Sequence, residues 1–272
     1  MTAPIPADIP DIPRIPGIAA NAAAAAVPVV PAYAVVPRVR RPLVAAFRLL
    51  IALSAVAGVA LALLLGSPTR VPGYFTILST LMVAVVSTVT ARRAWTARHP
   101  LRASVTACTL LYVVGGSLVY HLLLADNPTT FSMTGAAGQA TGPLTGWHAL
   151  TSLLLHTVIP VAVAVDWLLL TLPGALRLQS AITWMILPLA YLACTVTRGL
   201  LLPPGTQDRY PYPFLDVSEL GFVEVLGNIA ILGVACYGLA VLIVAVDHVR
   251  PGSRRHRPPE NRISSPATSG LK

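Results

Sequence analysis

The sequence predicts an all-α, polytopic membrane protein, a six-transmembrane-helix bundle between disordered tails. Three observations carry that expectation. The chain of 272 residues is 55% hydrophobic and only 11% charged, with a mean hydropathy of +0.73, whereas soluble domains are about 25% charged. Its apolar residues fall into six runs, each long enough at about 1.5 Å per residue to cross a hydrocarbon layer of about 30 Å. Basic residues gather at alternate ends of those runs, the pattern of membrane orientation.

The chain opens MTAPIPADIPDIPRIPG, where closely spaced prolines block helix, so residues 1–41 are expected to be a disordered tail. It has no basic start, apolar core and cleavage site, and so does not read as a secretory signal peptide. A proline-recognising partner is one use of such a tail; a solvated spacer is the other. The expected transmembrane domain covers 42–249, with spans near 43–65, 73–90, 103–124, 147–170, 181–202 and 219–246. A disordered basic tail, 250–272, follows.

The net charge of +9 would suit nucleic acid if it formed one patch, but the basic residues stand at the ends of apolar runs and no nucleic-acid partner is expected. Arg38, Arg40 and Arg41, the group from Arg92 to Arg102, Arg177 and the C-terminal arginines fall on one side. The other side has only Arg70 and Arg209, with Asp126, Asp208 and Asp216. The positive-inside rule then places both termini in the cytoplasm of a multi-pass protein of the cell membrane. Cys108, Cys194 and Cys236 lie singly within apolar runs and read as small core residues. No internal repeat or recurring pair of broken helices points to a transporter.

The fourth run, WHALTSLLLHTVIPVAVAVDWLLL, carries His148, Ser152, His156, Pro160 and Asp166. An ionisable group at membrane depth costs at least about 2.5 kcal/mol, so these side chains should turn toward the bundle interior. Pro160 has no N–H for the carbonyl four residues earlier, which is that of His156, and the helix should bend there. In the second run Thr76, Ser79 and Thr80 share one face. Such hydroxyls commonly pack against a neighbouring helix. A chemical use requires a histidine within reach to take the hydroxyl proton. His121 and His148 lie at about the depth of Thr76 and also suit the interface, beside Tyr120 and Trp147. His156 is deeper, and a tilted second helix or bent fourth helix would bring it to Thr76. Haem between paired histidines would need matched pairs, so no cofactor or metal is expected.

Arg48, near the cytoplasmic end of the first helix, should snorkel to the headgroups. Arg198, near the outer end of the fifth, should pair with Asp216, Glu219 or Glu224, or hold an anionic headgroup. The loop PPGTQDRYPYPFLDVSELG is too proline-rich for helix. Its aromatics, Tyr212 and Phe214 among them, suit either an interfacial anchor or a lid that shapes a binding site.

The combination of GYFTILST, LLLHTVIP with a downstream Asp-Trp, and Arg198 followed by YPYPFLDV resembles the bacterial Pr-six-Pr membrane proteins over about 43–246. Those in turn are similar to the eukaryotic androgen-induced-gene-1 and androgen-dependent tissue-factor-pathway-inhibitor-regulating proteins, intramembrane threonine hydrolases of fatty-acid esters. The resemblance implies Thr76 as nucleophile and His156 as general base and then acid. The substrate would be a membrane lipid or fatty-acid ester entering from the bilayer. It would occupy an outward-facing polar cavity between helices two and four, under a lid at 210–215. Ser79, Thr80, His121, His148, Ser152, Arg198, Tyr212, Phe214 and Asp216 are the expected binding residues. The alternative is a non-catalytic lipid- or small-molecule-binding protein in which the threonine and histidine satisfy each other.

Overall fold

A computed structural model describes residues 39–66, 70–124, 146–206 and 209–251. The expectations for tail residues 1–38 and 252–272, and for Asp126 and Asp208, lie outside the described residues. Six helices are long and apolar enough to cross a membrane: α1 (Pro42–Leu65), α2 (Phe75–Trp95), α3 (Ala103–Leu124), α4 (Gly146–Leu170), α5 (Leu178–Leu201) and α6 (Phe222–Val249). No strand occurs among the described residues. The protein is an all-α integral membrane bundle.

Helix ends follow local chemistry more than hydropathy. Helix α2 runs past its apolar stretch to Trp95 with Arg92 and Arg93 in its last turn, where cations complement the carbonyl end of the dipole. Helix α5 starts earlier than its apolar run, at Leu178. Helix α6 starts at Phe222 and not at 219, because Gly221 takes φ +81° and breaks the chain direction. Glu219 instead belongs to a separate turn, Val217–Leu220, capped by Asp216, whose carboxylate accepts from the Ser218 amide at 2.8 Å.

Helices α1 to α4 form the tight part of the bundle, α1 on α2, α2 on α3, α3 on α4 and α4 back on α1. The buried face of α1 combines Arg48, Ile51 and Val59 with the small residues Ala45, Ala52, Ala55, Gly58 and Ala62; small residues of this kind let helix backbones approach where lipid supplies no hydrophobic drive. Leu50, Val85 and Val234 point outward, as lipid-facing side chains should. Helix α6 reaches α3 and α5, but α5 and α6 bury a smaller share of their surfaces than the other four. This looser side leaves room for a cavity.

Two charge clusters tie together the end of the bundle at which α1 begins and α4 and α6 finish. Arg48 does not snorkel: its Nε donates to Asp166 Oδ1 at 2.8 Å, with side-chain exposures of 11% and 16%. The fourth helix supplies an anion at the depth of Arg48, and pairing within the bundle outweighs the reach to the headgroups. Asp247, fully buried near the end of α6, accepts from the Ala175 and Leu176 amides, each at 3.0 Å, and from Arg250 Nη2 at 2.7 Å. The Arg250 guanidinium lies 3.8 Å over the Trp167 ring and donates to the Trp167 and Leu168 carbonyls. It thereby satisfies the C-terminal end of α4.

Candidate active site

The α4 helix is interrupted where the proline rule predicts. Pro160 is the second residue of a regular helical segment, Ile159–Leu170, and the five residues before that segment, Leu154–Val158, form a wide π turn. The carbonyl of His156, deprived of a donor from Pro160, accepts from Ser117 Oγ at 2.5 Å and from His121 Nε2 at 3.2 Å, both on α3. His121 Nε2 also donates to Thr157 Oγ1 at 3.2 Å. The α3 helix ends in a π turn of its own, Tyr120–Leu124, so two π segments meet around one histidine. Such segments occur disproportionately at functional sites.

The His156 side chain is 4% exposed, and its tautomer follows from its neighbours. Nδ1 lies 3.1 Å from the Ser152 carbonyl, which can only accept, so Nδ1 carries the proton. The other nitrogen, Nε2, is left with its lone pair toward Thr76 Oγ1 at 3.5 Å. Tyr120 stacks on the imidazole with centroids 3.9 Å apart and planes 17° from parallel, and its hydroxyl accepts from Ser152 Oγ at 2.7 Å.

Thr76 is the second residue of α2, just after the turn Val71–Gly73 and the extended Tyr74. Phe75 donates its amide to the Tyr212 hydroxyl at 3.2 Å, and the Gly73 carbonyl accepts from Tyr191 on α5 at 2.7 Å. Tyr212 packs edge-on to Tyr74 and stacks on Phe214. The outer loop and α5 thus fix the start of α2, and with it Thr76. Burial pushes the Tyr212 phenol well above its ordinary value, assisted by the neighbouring Tyr191.

Thr76 and His156 both face a cavity of about 380 Å³. Its walls come from α2, α3, α5 and α6, with His156 alone contributed by α4, so it does not lie between helices two and four as expected. It is also apolar rather than polar, with Phe75, Leu111, Leu189 and Leu239 in its lining, and Gly115 and Gly116 supply the space. Tyr212 and Phe214 of the loop line it as well.

The other expected binding residues lie elsewhere. Ser79 Oγ donates back to the Thr76 carbonyl at 3.0 Å. Thr80 is buried with no hydrogen-bond partner for its hydroxyl among the described residues. Ser152 and His121 are spent on Tyr120 and on the His156 carbonyl. His148 is half-buried in the first turn of α4 and, like Ser79, Thr80, Ser152 and His121, is absent from the cavity wall. Arg198 is exposed and donates to the Arg209 carbonyl at 3.5 Å. It has no carboxylate partner among the described residues, because Asp216 turns to cap the helix that follows it. Sequence reasoning missed Ser117 and Tyr120. The signal for Ser117 was available: a carbonyl orphaned by Pro160 demands a donor from a facing helix. No protein-family model, curated protein or solved structure matches this chain.

Proposed function

We propose that this integral membrane protein hydrolyses lipid esters within the membrane, with Thr76 as nucleophile and His156 as its base, in line with the resemblance to the Pr-six-Pr proteins. One observation carries the proposal: a buried hydroxyl and the unprotonated nitrogen of a buried imidazole face each other at 3.5 Å on the wall of an apolar cavity. That spacing is long for proton transfer, but catalytic hydrogen bonds tighten when substrate binds.

In the proposed reaction Thr76 Oγ bonds to the ester carbonyl carbon, its proton passes to His156 Nε2, and the carbonyl π pair moves to oxygen. The C–O bond to the leaving alcohol then breaks, and that oxygen takes the proton from Nε2. A water repeats the sequence on the acyl-threonine. The Thr76 amide, in the first turn of α2, is the group assigned to receive the oxyanion, since first-turn amides lack partners within the helix. By the same proposal both termini lie in the cytoplasm and the site opens in the outer half of the cell membrane.

A second proposal, a non-catalytic lipid- or small-molecule-binding role, is favoured by the apolar lining. Ester turnover by the purified protein separates the two. Labelling by a fluorophosphonate probe should disappear in Thr76→Ala, and labelling of that variant at the parent level would remove Thr76 as nucleophile.

A further inference from the structure

Among the described residues neither ring nitrogen of His156 meets a carboxylate. Nδ1 is held by the Ser152 carbonyl and Nε2 faces Thr76, yet a base that takes a proton in a buried site becomes a cation needing stabilisation. Of the charged and titratable groups on the helices packed around it, Arg48 and Asp166 neutralise each other. Asp166 lies ten residues along α4, about 15 Å away at helical rise. Arg92 and Arg93 are in the last turn of α2, the end opposite Thr76. His148 stands in the first turn of α4, two turns before His156, and His121 bonds through Nε2 to the His156 carbonyl. What covers the imidazole face is Tyr120, stacked at 3.9 Å. The Tyr120 ring is held by the Ser152 hydroxyl on its OH and by an edge contact with His121 at 5.2 Å between centroids.

We infer that the Tyr120 ring face stabilises the imidazolium formed at His156 when the Thr76 proton arrives, the electrostatic part that a carboxylate plays in a serine-type triad, while the Ser152 carbonyl holds Nδ1. The inference rests on the hydrolase proposal above. The negative face of an aromatic ring attracts a cation within about 6 Å, most strongly where water is excluded. Tyr120 also lines the cavity, but the role inferred for it is exerted through its stack on His156, so it is a positioning residue that acts through the base. The stacked ring also keeps the imidazole plane aligned so that Nδ1 stays on the Ser152 carbonyl and Nε2 on Thr76.

The test uses the full chain in lipid nanodiscs and the rate of fluorophosphonate labelling, in which the P–F bond breaks, a P–Oγ bond forms and the proton goes to Nε2. Tyr120→Phe removes the hydroxyl contact with Ser152 and sets the baseline. Phenylalanines with one, two and three ring fluorines at position 120 then keep the shape while draining charge from the ring face. The labelling rate should fall stepwise, reaching roughly tenfold below Tyr120→Phe with three fluorines. A purely packing role predicts equal rates along the series, and that result would overturn the inference. No labelling of the parent, or undiminished labelling of Thr76→Ala, removes the hydrolase proposal and this inference with it, an outcome distinct from a flat fluorine series.

Discussion

The Arg48–Asp166 pair is the sharpest test of how this bundle is held together. Arg48 lies six residues in from the start of α1 and Asp166 four from the end of α4, about 9 and 6 Å along antiparallel axes. They therefore meet at one depth. Removing one partner of a buried pair leaves the other uncompensated, at about 3–5 kcal/mol. Because the 11% exposure of Arg48 allows some relief toward the headgroups, the lower figure applies. Asp166→Leu is expected to destabilise by about 3 kcal/mol and Arg48→Met by a similar amount. The double variant, with no charge to strand, should lie within about 1 kcal/mol of the parent, since apolar replacements of buried pairs are often neutral. Reversible unfolding in bicelles, measured as a double-mutant cycle, reads the coupling directly. Strict additivity of the two losses would refute the argument and return Arg48 to the headgroups.

Other outcomes follow from single contacts. Asp247→Ala strips two loop amides and Arg250 of their acceptor and should cost about 3 kcal/mol; it should also raise proteolytic cutting of the α4–α5 loop, which limited proteolysis measures. A Cβ at Gly199 would stand 2.0 Å from the Tyr210 ring, so Gly199→Ala should displace the outer loop at about 1–3 kcal/mol, seen as faster hydrogen exchange over residues 209–215. Tyr212→Phe leaves the Phe75 amide without its acceptor and should cost about 1–2 kcal/mol. The folded phenol of Tyr212 has a raised pKa. Its contribution is therefore complete below the unfolded value near about 10 and lost as pH rises toward the folded one. Melting curves of the parent should decline above that pH, and those of Tyr212→Phe should decline less.

The membrane class, the six spans and their approximate ends were legible because hydropathy and length act on each segment alone. So was the interruption of α4, since a proline orphans one particular carbonyl whatever surrounds it. Pairing was not legible. Arg48 alone suits a snorkelling residue, and only the bundle shows that an aspartate 118 positions later lies 2.8 Å away. The cavity wall, the stacking of Tyr120 on His156 and the turn of Asp216 away from Arg198 likewise depend on which faces of separate helices meet. A single apolar run does not encode this, because lipid accepts nearly any of its faces while a neighbouring helix accepts few.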